Sequence, residues 1–309
     1  MSEGKFRLVT RSDFDGLVCA VLLRELDLID EITFVHPKDM QDGKIAITAR
    51  DITTNLPYVE GAHIAFDHHA SEVERVGVRP NHVIDATAPS AARVVWRHYG
   101  GKERFPRISD EMMTAVDQAD SAQYSRADIL APERWSLLNF IMDARTGLGR
   151  FRNFRISNYN LMMELIDYCR NHTIEQILEL HDVKERTDLY WSHQHAFIDQ
   201  LESRSKVIGN VVILDLRDQD PIFAGNRFLI YALFPAATVS VHVLTGLKGQ
   251  NTVLAVGKSI INRASKAHIG SLMLEHGGGG HHAAGTCQVD NKQADVILAG
   301  IVERINAAG

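Results

Sequence analysis

What most limits the fold of this chain is an alternation of short, almost wholly apolar runs with helix-like stretches. Phe6-Arg7-Leu8-Val9 reads as a strand ending at Thr10, and the stretch from Gly16 to Leu26 carries Leu17, Val18, Ala20, Val21, Leu22 and Leu23, the pattern of a largely buried helix. Further β-rich runs come at even spacing: Ile32–Val35, Ile45–Thr48 and His63–Phe66, then His82–Ile84. Strands with little polar alternation must be covered on both faces, so this region predicts a doubly wound, mostly parallel sheet. Pro89 near a first turn places a helix over Ser90–Trp96, and a second is expected over about 109–119.

From about Pro132 to Arg204 the strand signals stop and helical periodicity takes over, with Thr173 as a cap ahead of Ile174, Ile177 and Leu178. β-rich sequence resumes at Val207-Ile208 and Val211–Leu214 and recurs near Thr238–Leu244 and Thr252–Val256, with helices expected over 226–233, 269–276 and 293–306. The expected architecture is α/β: a parallel-sheet domain over 1–131, a helical extension and connecting helix over 132–205, and a smaller α/β domain over 206–309.

Composition removes several alternatives. A chain 45% hydrophobic and 23% charged is not disordered, collagenous or coiled-coil. No apolar run approaches the ~20 residues of a spanning helix, and the first residues lead straight into strand-like sequence, so a cytoplasmic protein with no membrane partner is expected. Cys19, Cys169 and Cys287 lie far apart and support neither a disulfide framework nor a structural zinc site, against which stand 15 His. The net charge of −6 divides unevenly: residues 1–205 hold 24 Lys+Arg and 32 Asp+Glu, residues 206–309 hold 9 and 7. Extended nucleic-acid coating needs a basic excess that is missing here.

The polar residues that interrupt this pattern fall at predicted strand ends. Arg11-Ser12-Asp13-Phe14-Asp15-Gly16 sits between the first strand and its helix, where open α/β sheets bind ligands. Helix capping alone also favours Asp13 or Asp15 there. Asp67-His68-His69 comes after another predicted strand and offers oxygen and nitrogen ligands suited to Mn²⁺, Fe²⁺, Co²⁺ or Zn²⁺. Asp51 comes after the predicted strand 45–49, and Asp117 and Asp120 end a helix, where a carboxylate opposes the dipole. Several carboxylates and a His pair match the needs of a phosphoryl-transfer metal centre.

In order, Asp13-x-Asp15-Gly16, Asp51, Asp67-His68-His69, Asp120 and Gly277-Gly278-Gly279-Gly280-His281-His282-Ala283-Ala284-Gly285 make the chain resemble the DHH phosphoesterase superfamily with its C-terminal DHH-associated domain. The resemblance is nearest to the exopolyphosphatase-like and oligoribonuclease-like branches and spans essentially the whole length. It implies a DHH domain over 1–131 and a substrate-binding domain over 206–309. It also implies a metal-dependent hydrolase of phosphoester or phosphoanhydride bonds, using one or two Mn²⁺ or Mg²⁺ ions.

Carried over residue by residue, the resemblance makes Asp13 a ligand of one ion, Asp51 a bridging ligand, and Asp15, His68 and Asp120 ligands of the other. His69 would face the phosphate, with Asp67 orienting the pair. Asp120 is preferred to Asp117 because Asp120-Ser121 resembles the Asp-Thr of the family motif. Gly278, Gly279, Gly280, His281, His282 and Arg263 would hold the substrate, a small polyanion such as polyphosphate, a short oligoribonucleotide or a nucleotide. A homodimer is compatible with such a protein. One departure stands out: Arg11 occupies the position of the family's usual first-motif His, and a guanidinium cannot ligate a cation. Four outcomes follow: the first ion binds weakly, a nearby group such as His36 takes the place of the missing ligand, one ion is used and Arg11 binds the phosphate, or turnover is lost and the chain is a nucleotide-binding or regulatory protein.

Overall fold

The computed structural model describes residues 4–151 and 153–309. The chain divides into two compact units: residues 1–123, 133–144 and 149–187 in the first, residues 124–132, 145–148 and 188–309 in the second.

The first unit is built on a five-stranded sheet of β1 (Phe6–Arg11), β2 (Ile29–Val35), β3 (Asp51–Thr54), β4 (Ile64–Asp67) and β5 (His82–Ile84), in the order β2-β1-β3-β4-β5. Every pairing is parallel. The chain moves outward from β1 to β2 and then returns past it to β3, so the crevice for a ligand opens at the carboxyl ends of β1 and β3. Helix α1 (Phe14–Glu25) comes directly after β1, and its residues from Phe14 to Leu23 are all buried, as expected of a helix apolar on every side. It is surrounded by α2 (Ala91–His98), α3 (Asp110–Asp120) and α4 (Asn158–Asn171). Sequence capping sets where these helices start. Ser90 accepts from Arg93 N to open α2, Ser109 accepts from Met112 N to open α3, and Ser157 accepts from Asn160 N to open α4.

One expected strand is absent. Ile45–Thr48 forms no strand, although its apolar residues alternate; Ile45 and Ile47 instead cover a buried cluster of Val9, Val35, Met40 and Leu56. The third strand begins only at Asp51, with Arg7 opposite Asp51 and Thr10 opposite Thr54.

In the second unit a six-stranded mixed sheet runs β6 (Ser205–Ile208), β7 (Val211–Asp215), β8 (Val239–Thr245), β9 (Thr252–Lys258), β10 (Gly279–Gly280) and β11 (Ala284–Val289), in the order β10-β11-β9-β8-β7-β6. Val239, Val241 and Val243 alternate into a core shared with Leu254, Val256 and Cys287. That core is closed by α5 (Ile269–Leu274) and α6 (Ala294–Ala308) through Ile269, Met273, Ile301 and Ile305. β11 gives no strand signal of its own, because Ala284-Gly285-Thr286 lacks bulky residues. It forms by pairing with β9. Cys19, Cys169 and Cys287 are all buried and free. Among the described residues no helix is long and apolar enough to cross a membrane.

Candidate metal centre

Three chain turns meet at the carboxyl ends of β1 and β4. After β1, Asp13 caps α1, its Oδ1 accepting from Gly16 N at 2.9 Å. Gly16 is required there, since a Cβ would fall 2.0 Å from the Arg11 carbonyl. Asp15, one residue inside α1 and only 2% exposed, turns inward; Oδ2 and Oδ1 accept from Ala91 N and Ala92 N at 2.9 and 2.8 Å. The first amides of α2 thus support a carboxylate.

After β4, the buried Asp67 orders the two histidines next to it. Its Oδ1 accepts from His68 N at 2.8 Å and lies 2.7 Å from His69 Nδ1. His68 Nδ1 lies 3.2 Å from the Ala88 carbonyl, the partner that fixes a ring and leaves Nε2 for a ligand. His68 Nε2 is buried without a hydrogen bond of proper direction, although Asp120 Oδ2 is 2.8 Å away. Asp120, the last residue of α3, completes a cluster in which one donor atom each of Asp15, His68 and Asp120 lies within 4.8 Å of the others.

This cluster is short of positive charge. Burial first, then the charge of Asp120, pushes the Asp15 carboxyl well above the usual range. Burial alone would lower His68; its contact with Asp120, together with the charges of Asp120, Asp15 and Asp67, outweighs it and raises the imidazole to about 9. Two carboxylates and an imidazole converging in this way, with an undirected Nε2 between them, fit a borderline divalent cation. Asp117 is committed elsewhere, to Ser90 Oγ at 2.8 Å and Arg93 Nε at 2.9 Å, which separates its role from that of Asp120.

The expected partner ion site is not assembled. Asp51 stands at the start of β3, the opposite end from Asp13, and is therefore corrected from a bridging ligand to a structural residue. Its carboxylate is held by Arg7 Nε at 2.7 Å, Arg7 NH2 at 2.9 Å and Thr48 N at 2.6 Å. The apolar alternation of 45–48 mimics a strand, although none forms, and so places Asp51 in the sequence at a strand's carboxyl end. The residue that does stand there, directly after β3, is Asn55, buried and at φ 53°; its Nδ2 donates to Asp13 Oδ1 at 3.2 Å while its Oδ1 has no partner. Sequence reasoning misses Asn55; its signal is the β-branched Ile52-Thr53-Thr54 run ending in Asn before Leu56-Pro57. Asp13 also receives Arg11 Nε at 2.9 Å. Arg11, Asn55 and the Gly16 amide thus all direct N–H groups at Asp13. His36 caps a short helix, its Nδ1 accepting from Lys38 N.

The remaining expected residues belong to the second unit. Gly279 and Gly280 form the β10 edge strand against Thr286 and Gly285. A Cβ on Gly278 or Gly280 would sit 2.1 Å from the Thr286 carbonyl or 2.2 Å from that of Ala284, whereas Gly279 has open space. His281 N donates to the Ala284 carbonyl at 2.7 Å, closing the turn. His282 Nε2 lies 2.9 Å from Lys258 Nζ, with the His268 ring centred 4.9 Å away. The Lys258 charge, then burial and His268, hold His282 below its usual value. Arg263 Nε donates to the Ile260 carbonyl at 3.1 Å.

No family model and no curated protein matches the chain. Among solved structures it is similar to the pGpG-specific phosphodiesterase PggH of Vibrio cholerae, at 58% identity over 99% of this chain and 100% of that one, with a TM-score of 0.87. The fold is shared at 12% identity and a TM-score of 0.59 with a DHH-domain member of the s1p family of ribosomal proteins, over 98% of this chain and 87% of that one. RecJ of Thermus thermophilus in complex with Mn²⁺ shares it at 13% identity and a TM-score of 0.53, over 97% of this chain and 52% of that one. With 58% identity to that phosphodiesterase along its whole length, the chain belongs to the DHH phosphoesterase superfamily.

Proposed function

We propose that the chain is a phosphodiesterase that hydrolyses a short linear dinucleotide of the pGpG class with the aid of one divalent cation. The observation that carries this reading is the convergence of Asp15, His68 and Asp120, in a chain 58% identical to a pGpG-specific phosphodiesterase. A cation such as Mn²⁺ or Mg²⁺ held by these three residues would supply positive charge to the phosphoryl oxygens and acidify a water. The α2 amides keep Asp15 oriented for that task. Arg11, pinned through Nε by Asp13, offers its remaining N–H donors to a phosphoryl oxygen, a contact for which guanidinium geometry is suited. His69, oriented by Asp67 at Nδ1, donates a proton from Nε2 to the leaving oxygen. Within the second unit, Lys258 and His282 meet at 2.9 Å with the His268 ring beside them, a group of N–H donors suited to an anion.

Polyphosphate and nucleoside bisphosphates remain comparison substrates in the test. Purified protein with Mn²⁺ is offered pGpG, a longer oligoribonucleotide, adenosine 3′,5′-bisphosphate and polyphosphate. The proposal expects mononucleotide release from the dinucleotide at a kcat/KM at least tenfold above the others. Dinucleotide binding without release from any of them would instead establish the nucleotide-binding reading that Arg11 raises.

A further inference from the structure

A dinucleotide site needs a surface for a base as well as for its phosphate, and exposed aromatic faces are the usual means. The aromatics flanking the sequence motifs do not provide one. Phe14 is 2% exposed and stacks on Trp135, and Phe228 is 4% exposed, with Tyr124 and the Arg227 guanidinium against its ring.

Tyr159 is different. It lies in the first turn of α4, in line with Met162 and Ile166 at the i, i+3, i+7 spacing of one helix face. Met162 and Ile166 are buried, yet Tyr159, continuing the same stripe, is 50% exposed. The stripe ends at the metal-site turn: Ser12 Oγ lies 3.2 Å from Met162 Sδ, and one helical turn, about 5–6 Å between Cβ atoms, separates Met162 from Tyr159. The Tyr159 ring meets Phe34 edge to face, with centroids 6.0 Å apart at 86°. Phe34 is itself near the carboxyl end of β2, opposite Thr10 and one residue short of the pair Val35 and Arg11. An aromatic pair braced by Phe34 therefore borders the turn that carries Arg11 and Asp13.

We propose that Tyr159, supported by Phe34, is the stacking platform for one nucleobase of the dinucleotide and so a specificity residue for nucleotides over inorganic polyanions. The inference rests on the dinucleotide reading above. A ring buttressed on its flank loses little freedom on binding, and it stands beside the helix turn whose Met162 meets Ser12, next to Arg11. Phe in place of Tyr keeps the stacking face; Ala removes it.

The test is stopped-flow fluorescence of a dinucleotide carrying 2-aminopurine, mixed with the full chain in Mn²⁺ and read on the millisecond scale, with a base-free ribose phosphodiester as competitor. Tyr159→Ala is expected to weaken dinucleotide binding ~10-fold and to abolish most of the stacking quench, while Tyr159→Phe retains both. The ratio of dinucleotide to base-free affinity should fall by the same factor. Unchanged quenching in Tyr159→Ala, or an equal loss for the base-free competitor, would overturn the assignment. Because the readout is binding, a chain that binds but never turns over would sink the hydrolase reading and leave this one standing or falling on its own result.

Discussion

Arg11 Nε lies 2.9 Å from Asp13 Oδ2, so the position that in the family holds a metal-ligating histidine instead supplies a fixed positive charge to the first aspartate of the motif. Asn55 Nδ2 and Gly16 N reach the same carboxylate. Three donors on one carboxylate set it apart from Asp15, His68 and Asp120, the group that could hold a metal ion.

If Arg11 acts at the phosphate and not through a metal, its loss should lower turnover without changing how much metal is bound. Arg11→Ala is expected to reduce kcat/KM by on the order of 100-fold, with Mn²⁺ stoichiometry unchanged by direct titration. Arg11→Lys should recover little, since an ammonium lacks the fork of donors. Full activity in Arg11→Ala would remove the residue from the reaction.

Asp51 should behave as a structural residue. Asp51→Asn breaks the pairing with Arg7 and is expected to cost about 1–3 kcal/mol in urea denaturation while leaving Mn²⁺ affinity intact. Burial alone would raise the Asp51 carboxyl, but Arg7 and the Thr48 amide outweigh it and hold it below the usual range. A folded-state value below the unfolded one, about 3.9, gives stability that is complete above the unfolded value and is lost as pH falls through it toward the folded one. The wild type should therefore lose stability more steeply on acidification below about pH 5 than Asp51→Asn does. Parallel curves would contradict the ion pair.

The glycine run separates into positions that fold and a position that is open. Gly278→Ala forces a Cβ onto the Thr286 carbonyl and should destabilise the hairpin by about 1–3 kcal/mol. Gly279→Ala meets nothing within 4 Å and should leave the thermal midpoint unchanged. Equal midpoints for the two variants would show that β10 does not form as described.

Much of the first unit is legible because its signals are local. The apolar run Leu17 to Leu23 after Gly16 reads as a buried helix, Ser90 and Ser109 cap helices they precede, and Asp67-His68-His69 lies where β4 ends. Asp51 is misplaced by sequence alone because Ile45 and Ile47 alternate like a strand while packing as irregular chain over Val9 and Met40, a tertiary choice that periodicity does not encode. Asn55 carries a local strand-end signal, but its partner across the crevice, Asp13, is 42 residues away and meets it only through strand order. Tyr159 gives no signal because the contact of Met162 with Ser12 spans 150 residues. β11 emerges through its pairing with β9 and β10, the small residues Ala284-Gly285-Thr286 having little β preference of their own.

A single cation held by Asp15, His68 and Asp120 is tested most directly by equilibrium Mn²⁺ titration of the metal-free chain, followed by electron paramagnetic resonance of the unbound ion. One tight ion per chain is expected, weakened at least ~10-fold by Asp120→Asn and unaffected by Asp51→Asn. Two ions of comparable affinity, or one ion indifferent to Asp120→Asn, would contradict it.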